Sequence, residues 1–213
     1  MEINELCKHF PVDKWRCPSE RASYVLQAEL FLTQWGWGAV VYTSKGLKEI
    51  FLPRPSKTEI FQELPKGADV LENKSHPAVS QLVEYFSGKR SNFDLEFDLD
   101  KFTQFQKSVY EEATRIPYGR TRSYSELAKT VGLPQAARAV ARALSQNPIA
   151  IVIPCHRVIQ KDGGLGGYSG GLTWKGILLD LERSQMKYRF TEQNKHNCLT
   201  LPLLFFDQDT ASD

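Results

Sequence analysis

Residues 147–159 read Asn147-Pro-Ile-Ala-Ile-Val-Ile-Pro-Cys-His-Arg-Val-Ile159, and a glycine-rich run from Gly163 to Gly171 follows. All but one of the residues from Ile149 to Ile153 are β-branched, the composition of a short buried strand, and Pro154 ends it. The reading predicts a strand over 149–153 that carries Cys155 from the interior of the fold to an edge. A thiol with an ordinary pKa is only about 3% thiolate at neutral pH, so a nucleophilic cysteine needs a base or cationic neighbours. His156 and Arg157 follow it directly. A Pro-led turn or a first helical turn would bring the imidazole within reach of the thiol, directly or through one water. The same residues also describe a buried, inert cysteine, and the local sequence leaves both readings open.

Upstream of this stretch, Gln135 to Ser145 read as a helix. At 100° per residue, Ala136, Ala137, Val140, Ala141 and Leu144 share one face and Arg138 and Arg142 the opposite one. Ala139 and Ala143 lie beside the apolar face, small enough for the helix backbone to approach another surface closely. Ser123 is placed to cap a preceding helix in which Leu127 and Ala128 face inward, and Gly132-Leu133-Pro134 turns between the two. Two short helices about a glycine turn, the second one basic, outline a helix-turn-helix. Alone, the second helix is equally an amphipathic helix with two solvated arginines; followed by the cysteine loop, the DNA-facing reading is preferred. Thr103 and Gln106 have capping-box spacing ahead of a helix lined by Phe105, Val109 and Ala113, which ends before Pro117-Tyr118-Gly119. Downstream, Thr173 is expected to cap a last helix with Trp174, Ile177, Leu178 and Leu181 inward and Lys175 and Glu182 outward.

The first half reads as a sheet. Strands are predicted over Leu30 to Trp35, Gly38 to Thr43 and Leu47 to Leu52, with a Ser44-Lys45-Gly46 turn, followed by a short helix within Thr58 to Leu64. His76 and Pro77 open a helix with Val79, Leu82, Val83 and Phe86 on one face and Gly88 at its end. Phe93, Leu95, Phe97 and Leu99 alternate with polar residues, predicting a strand with one wet face. Trp15, Trp35 and Trp37 are assigned to packing. The fold class expected is α/β (α+β), in three segments: an antiparallel sheet domain over 1–100, a mostly helical domain over 103–184, and an extension over 185–213.

Composition narrows the function. No apolar run approaches the roughly 18 residues of a membrane span, and the first 20 residues are too charged for a signal peptide. Four scattered cysteines argue against a disulfide framework and suit a reducing compartment, the cytoplasm or, in a eukaryote, the nucleus. Residues 103–183 carry 11 Lys/Arg against 6 Asp/Glu, whereas 1–102 carry 13 against 15, so the positive charge sits on the segment with Cys155, as a polyanion partner requires. Cys7, His9, Cys17 and the distant His76 could ligate zinc, but Cys-x-His-x7-Cys is no standard site and reads as unrelated polar side chains. No cofactor is expected.

Pro154-Cys155-His156-Arg157-Val158, with Asn147-Pro148 before it and Tyr168-Ser169-Gly170-Gly171-Leu172 after it, resembles the active-site signature of the O6-alkylguanine-DNA alkyltransferases, the methylated-DNA–protein-cysteine methyltransferases. The resemblance extends from about Phe102 to Glu182. It implies a ribonuclease-H-like sheet domain as scaffold, holding a structural zinc in some relatives, and a winged helix-turn-helix-like domain that flips the damaged base out of double-stranded DNA. Cys155 then accepts the alkyl group of O6-alkylguanine, or O4-alkylthymine, irreversibly, so that a monomer serves one turnover. The resemblance gives His156 the thiol proton through a water, Glu182 the orientation of the imidazole, Asn147 the bracing of the turn and Tyr124 the donation of a proton or hydrogen bond to purine N3. It places Arg138 in the gap left by the flipped base, with Ala137, Ala139 and Arg142 against the DNA. The carbonyls of Cys155 and Val158 and the N–H of Ser169 would read the guanine, with Tyr168 as a wall. Gly167 stands where many relatives carry Asn.

Other readings of these residues remain. Tyr124 could be a packed aromatic, Glu182 a solvated helix-end charge, and the glycines a flexible surface loop. A DNA-lesion binder without chemistry, of the alkyltransferase-like type, usually has Trp at the acceptor position, so Cys155 argues against it. A Cys-His hydrolase or peroxidase would leave the Arg138 helix and the six glycines unexplained, and no dimerisation segment supports a transcription factor.

Overall fold

The computed structural model describes residues 25–72 and 76–198, with side chains as far as residue 186; Cys7, His9, Trp15, Cys17 and the stretch Leu201 to Phe206 lie outside the described residues. Three strands joined by two-residue turns, β1 (Gln27–Thr33), β2 (Gly36–Thr43) and β3 (Gly46–Arg54), form an antiparallel meander. A short β4 (Asp69–Val70) pairs parallel to β1, giving the order β3-β2-β1-β4. The turn into β3 depends on Gly46, whose φ is 132° and whose missing Cβ would lie 2.5 Å from the Glu96 carbonyl oxygen. Trp35, expected at the end of β1, sits in the first turn instead.

Helix α1 (Lys57–Glu63) is capped by Ser56 and buries Ile60. Helix α2 (Pro77–Phe86) starts on His76, whose Nδ1 accepts the Ala78 N–H while its ring stacks 4.1 Å from Tyr42. The buried face of α2 is Ala78, Gln81, Leu82, Tyr85 and Phe86, whereas Val83 is 38% exposed. The face is rotated from the predicted one because Gln81 goes inward, its amide donating to the Asp94 carbonyl and accepting the Asp94 N–H. That capture also accounts for the missing strand over 93–99. With Asp94 bound to a side chain, the segment keeps one bridge to the sheet, at Leu47 and Phe97, although its apolar side chains still pack on the core. Asp98 is buried rather than solvated and accepts the Thr43 hydroxyl at 2.9 Å.

The second half is helical, giving the α+β organisation expected. The predicted Thr103/Gln106 capping box forms on α3 (Gln104–Thr114), and the Ser123 cap on α4 (Tyr124–Thr130) is completed by Glu126 into a second box. Helix α5 (Ala137–Ser145) completes the helix-turn-helix outline and buries Val140, Ala143 and Leu144. A parallel pair, β5 (Arg122–Ser123) with β6 (Val158–Ile159), holds the cysteine segment beside α4. Helix α6 (Leu172–Cys198) begins two residues earlier than predicted: the Lys175 N–H bonds the Gly171 carbonyl, which places Thr173 inside the first turn and not at the cap. Among the described residues no helix is long and apolar enough to cross a membrane.

One buried cluster runs without a break from Phe31 and Val40 through Tyr85 and Val109 to Ile149 and Leu178. The backbone crosses between the halves as well, where the Ile50 N–H donates to the Pro148 carbonyl at 2.9 Å. The sheet half therefore supports the turn that carries the cysteine.

Candidate active site

Residues 149–153 are buried as predicted but are not a strand. They form a tight turn in which Val152 N–H bonds Ala150 and Ile153 N–H bonds Ile149, with Ile151 at φ 74°. A β-branched residue there costs about 1–2 kcal/mol, so something must hold the turn closed. Asn147 does so: its Oδ1 accepts the Ile149 N–H at 3.0 Å, and its Nδ2 donates to the Ile153 carbonyl at 2.9 Å and to Cys155 Sγ at 3.1 Å. One buried amide thus fixes both ends of the turn and the thiol. A strand would have delivered Cys155 in extended backbone, whereas Pro154 leads it into a 3₁₀ turn, Cys155–Arg157.

Cys155 is 3% exposed, and burial pushes its thiol up to about 11 against the Asn147 hydrogen bond and the Lys175 charge. At neutral pH it is a thiol that needs a base. His156 is fully buried and contacts Glu182 Oε1 through Nε2 at 2.8 Å, while Nδ1 has no hydrogen-bond partner among the described residues. Burial pushes the imidazole below its ordinary value, more than Glu182 raises it. Burial alone would raise the Glu182 carboxyl, but hydrogen bonds from His156 and Arg157 and the Arg157 charge outweigh it and hold the group at about 2. An ionised carboxylate only accepts, so the imidazole proton lies on Nε2 and the basic lone pair on Nδ1.

The sequence reading turned Glu182 and Lys175 outward; both are fully buried. Their positions, with Leu178 between, follow i, i+3, i+7, so they share the inner face of α6 that Leu178 marks. Glu182 accepts from the Tyr85 hydroxyl at 2.8 Å and the Gly119 N–H at 2.8 Å, and Arg157 binds it through Nε at 3.0 Å and Nη2 at 2.9 Å. Arg157 also donates to the Ile116 carbonyl. The Lys175 ammonium donates to the carbonyls of Val158 at 2.5 Å, Gly167 at 3.4 Å and Leu165, tying the middle of the glycine loop to β6. Burial pulls it down to about 8, partly offset by Cys155. The sequence marks Arg157 only as a cationic neighbour of the thiol and gives no signal for a site role of Lys175 or Tyr85, because a charge or a phenol carries no periodic signal of its own.

Above Cys155 opens a cleft of about 300 Å³ lined by Tyr124, Ala137, Arg138, Ala141, Gly167 and Tyr168 among others. The apolar face predicted for α5 is thus divided: Val140 goes to the core, Ala137 and Ala141 face the cleft, and Leu144, buried, borders both. Tyr124 donates to the Gly167 carbonyl at 3.2 Å, and burial raises its phenol, which keeps its proton. Gly166, at φ 67°, passes so close that a Cβ would lie 2.8 Å from the Tyr124 hydroxyl. Tyr168 meets His156 edge-on at 6.5 Å. Arg138, Ala139 and Arg142 are exposed on α5, and Ser169 is exposed on the loop. His76, in contrast, lies on α2 as a helix cap, and among the described residues no group of three or more His, Cys, Asp and Glu could hold a metal ion.

A thiol under a cleft, a buried His-Glu pair beneath it and a helix-turn-helix at its rim can be compared with known proteins. The family model for the 6-O-methylguanine DNA methyltransferase DNA binding domain matches residues 104–184. A methylated-DNA–protein-cysteine methyltransferase of Methanosarcina barkeri is 48% identical over 146 residues, 67% of this chain and 88% of that protein. One from Mycobacterium leprae is 55% identical over 109 residues, 51% of this chain and 66% of its own. Among solved structures, the OGT of Mycobacterium tuberculosis in complex with DNA superposes with a TM-score of 0.65 at 38% identity, covering 75% of this chain and 94% of that one. With most of a relative's length matched at nearly half identity, the chain belongs to the family of methylated-DNA–protein-cysteine methyltransferases.

Proposed function

We propose that this protein repairs double-stranded DNA by moving the alkyl group of O6-alkylguanine irreversibly onto Cys155. The observation that carries the reading is the position of Cys155 Sγ, held by Asn147 at the floor of the cleft between α5 and the glycine loop. An O6-alkyl carbon inside a duplex is out of reach of that thiol, so the nucleotide must leave the stack, at a cost of a few kcal/mol that a damaged pair lowers. Arg138 fills the gap while Ala137, Ala139 and Arg142 lie against the DNA. Small side chains on α5 permit that approach, and the surplus of Lys/Arg in this half supplies the attraction.

In the transfer, Cys155 Sγ attacks the alkyl carbon, the S–C bond forms and the C–O6 bond breaks. The thiol proton passes through a water to Nδ1 of His156, and the imidazolium is stabilised by Glu182. The departing guanine takes its proton at N3 from Tyr124, whose phenolate recovers one from solvent. The carbonyls of Cys155 and Val158 accept from the exocyclic amine; Lys175 uses one lone pair of Val158 and leaves the other. The Ser169 N–H bonds O6, and Tyr168 walls the ring. The product is a thioether that none of these side chains reverses, so one monomer repairs one lesion. No step needs a cofactor, and the free thiol fits the cytoplasm or a nucleus.

The test is the intact mass after incubation with excess duplex carrying one O6-methylguanine, beside undamaged duplex and Cys155→Ala. A gain of one methyl on the Cys155 peptide, saturating at one per chain, is expected. An unchanged mass with preferential binding of the damaged duplex would make the protein a lesion binder instead.

A further inference from the structure

The sheet half, expected to be scaffold, reaches the Glu182 carboxylate behind His156 through a hydroxyl on α2. We propose that Tyr85, on α2, is a positioning residue for the alkyl transfer: its phenol holds the Glu182 carboxylate that in turn orients His156. The inference rests on the reading of Cys155 and His156 above.

Tyr85 is fully buried, with the rings of Phe86, Phe93 and Tyr118 at 5.7, 5.5 and 6.0 Å. Those aromatic neighbours fix the ring and direct its hydroxyl at Glu182 Oε1, 2.8 Å away. The same oxygen receives His156 Nε2 at 2.8 Å and Arg157 Nη2 at 2.9 Å, while Oε2 receives the Gly119 N–H. Every donor on a carboxylate oxygen draws off part of its charge, so the phenol weakens the pull of Glu182 on the imidazolium. The remaining groups around His156 are Cys155 and Arg157 on its own turn, Lys175 on α6 and Tyr168 on the loop. Arg157 and Lys175 disfavour the imidazolium and Glu182 favours it, so Tyr85 acts on the charge that would protonate His156 early.

Removing the phenol leaves Oε1 more negative. His156 then takes a proton from solvent at higher pH and is lost as a base there. A purely structural Tyr85 would lower thermal stability and leave the pH dependence unmoved. The two roles are therefore separable.

The experiment is the single-turnover methyl-transfer rate against pH for the wild type and Tyr85→Phe, alongside ¹⁵N titration of the His156 imidazole. The acid limb and the His156 titration are expected to move up together by about half a pH unit, roughly a threefold loss of rate on the limb, with rates converging above it. A difluorotyrosine at position 85, which keeps ring and hydroxyl but donates more strongly, is expected to move both the opposite way. Profiles and titrations that superimpose on the wild type overturn the assignment. A wild type that transfers no methyl at any pH overturns the alkyl-transfer reading instead, and the titration still decides whether Tyr85 acts on His156.

Discussion

The Asn147 amide nitrogen lies 3.1 Å from Cys155 Sγ and 2.9 Å from the Ile153 carbonyl, so the reacting atom and the strained turn share one donor. Replacing Asn147 by Ala strands the Ile149 N–H in the interior, at about 1–3 kcal/mol for an unsatisfied buried group, while the Ile153 carbonyl keeps the Cys155 N–H at 2.8 Å. Urea denaturation is expected to show a loss of that order. Methyl transfer should slow by at least about tenfold, because a 1.4 kcal/mol loss of thiol positioning is already tenfold.

The pH dependence follows from His156. Its pKa lies below the ordinary 6.5 through burial, so the neutral base persists under mildly acidic conditions and the transfer rate falls only as pH drops through that lowered value. Stability has its own window. Glu182 is depressed to about 2 from an unfolded value of 4.5, so its contribution is complete above 4.5 and is lost as pH falls from there toward 2. The size is on the order of 3 kcal/mol. A midpoint of urea unfolding that did not decline across that window would refute the assignment.

Lys175 serves the loop rather than the DNA surface. Lys175→Met keeps the length of the side chain but leaves the carbonyls of Val158, Leu165 and Gly167 without their shared donor. Transfer from O6-methylguanine is expected to drop at least about tenfold. Affinity for undamaged duplex, measured by fluorescence anisotropy, should change less than about twofold, since α5 is untouched.

Gly167 tests the width of the cleft. A Cβ built there meets nothing within 4 Å, and the residue lines the cavity. Gly167→Asn should therefore fold with little change in thermal midpoint while narrowing the space above Cys155. Competition between O6-benzylguanine and O6-methylguanine substrates is expected to shift toward the methyl group. In Gly166→Ala, by contrast, the new methyl collides with the Tyr124 hydroxyl at 2.8 Å, and both substrates should be slowed alike.

Elements marked by local chemistry were legible in the sequence. The capping box at Thr103, the Ser123 cap and the three-stranded meander emerged from residue type and spacing, whereas the roles of Cys155, His156 and Asn147 came with the family resemblance. What escaped depended on partners distant in sequence. Phe93 to Leu99 alternate as a strand does, but Gln81 claims Asp94, a contact no local pattern announces. Ile149 to Ile153 have strand composition, yet Asn147 closes them into a turn that overrides β propensity. Lys175 and Glu182 were turned outward on charge, although each has buried partners waiting on β6, the loop, α2 or the 3₁₀ turn. Residue type misled because a charge goes inside wherever its hydrogen bonds are already in place.

The Ile50 N–H that donates to the Pro148 carbonyl makes strand register a heritable constraint on chemistry. A slip of β3 by one residue would turn that N–H to the other edge of the strand and free the residue on which the Asn147 turn begins. Insertions and deletions in the two hairpins before β3 are therefore filtered by alkyl transfer as well as by folding. The two halves cannot diverge as independent modules.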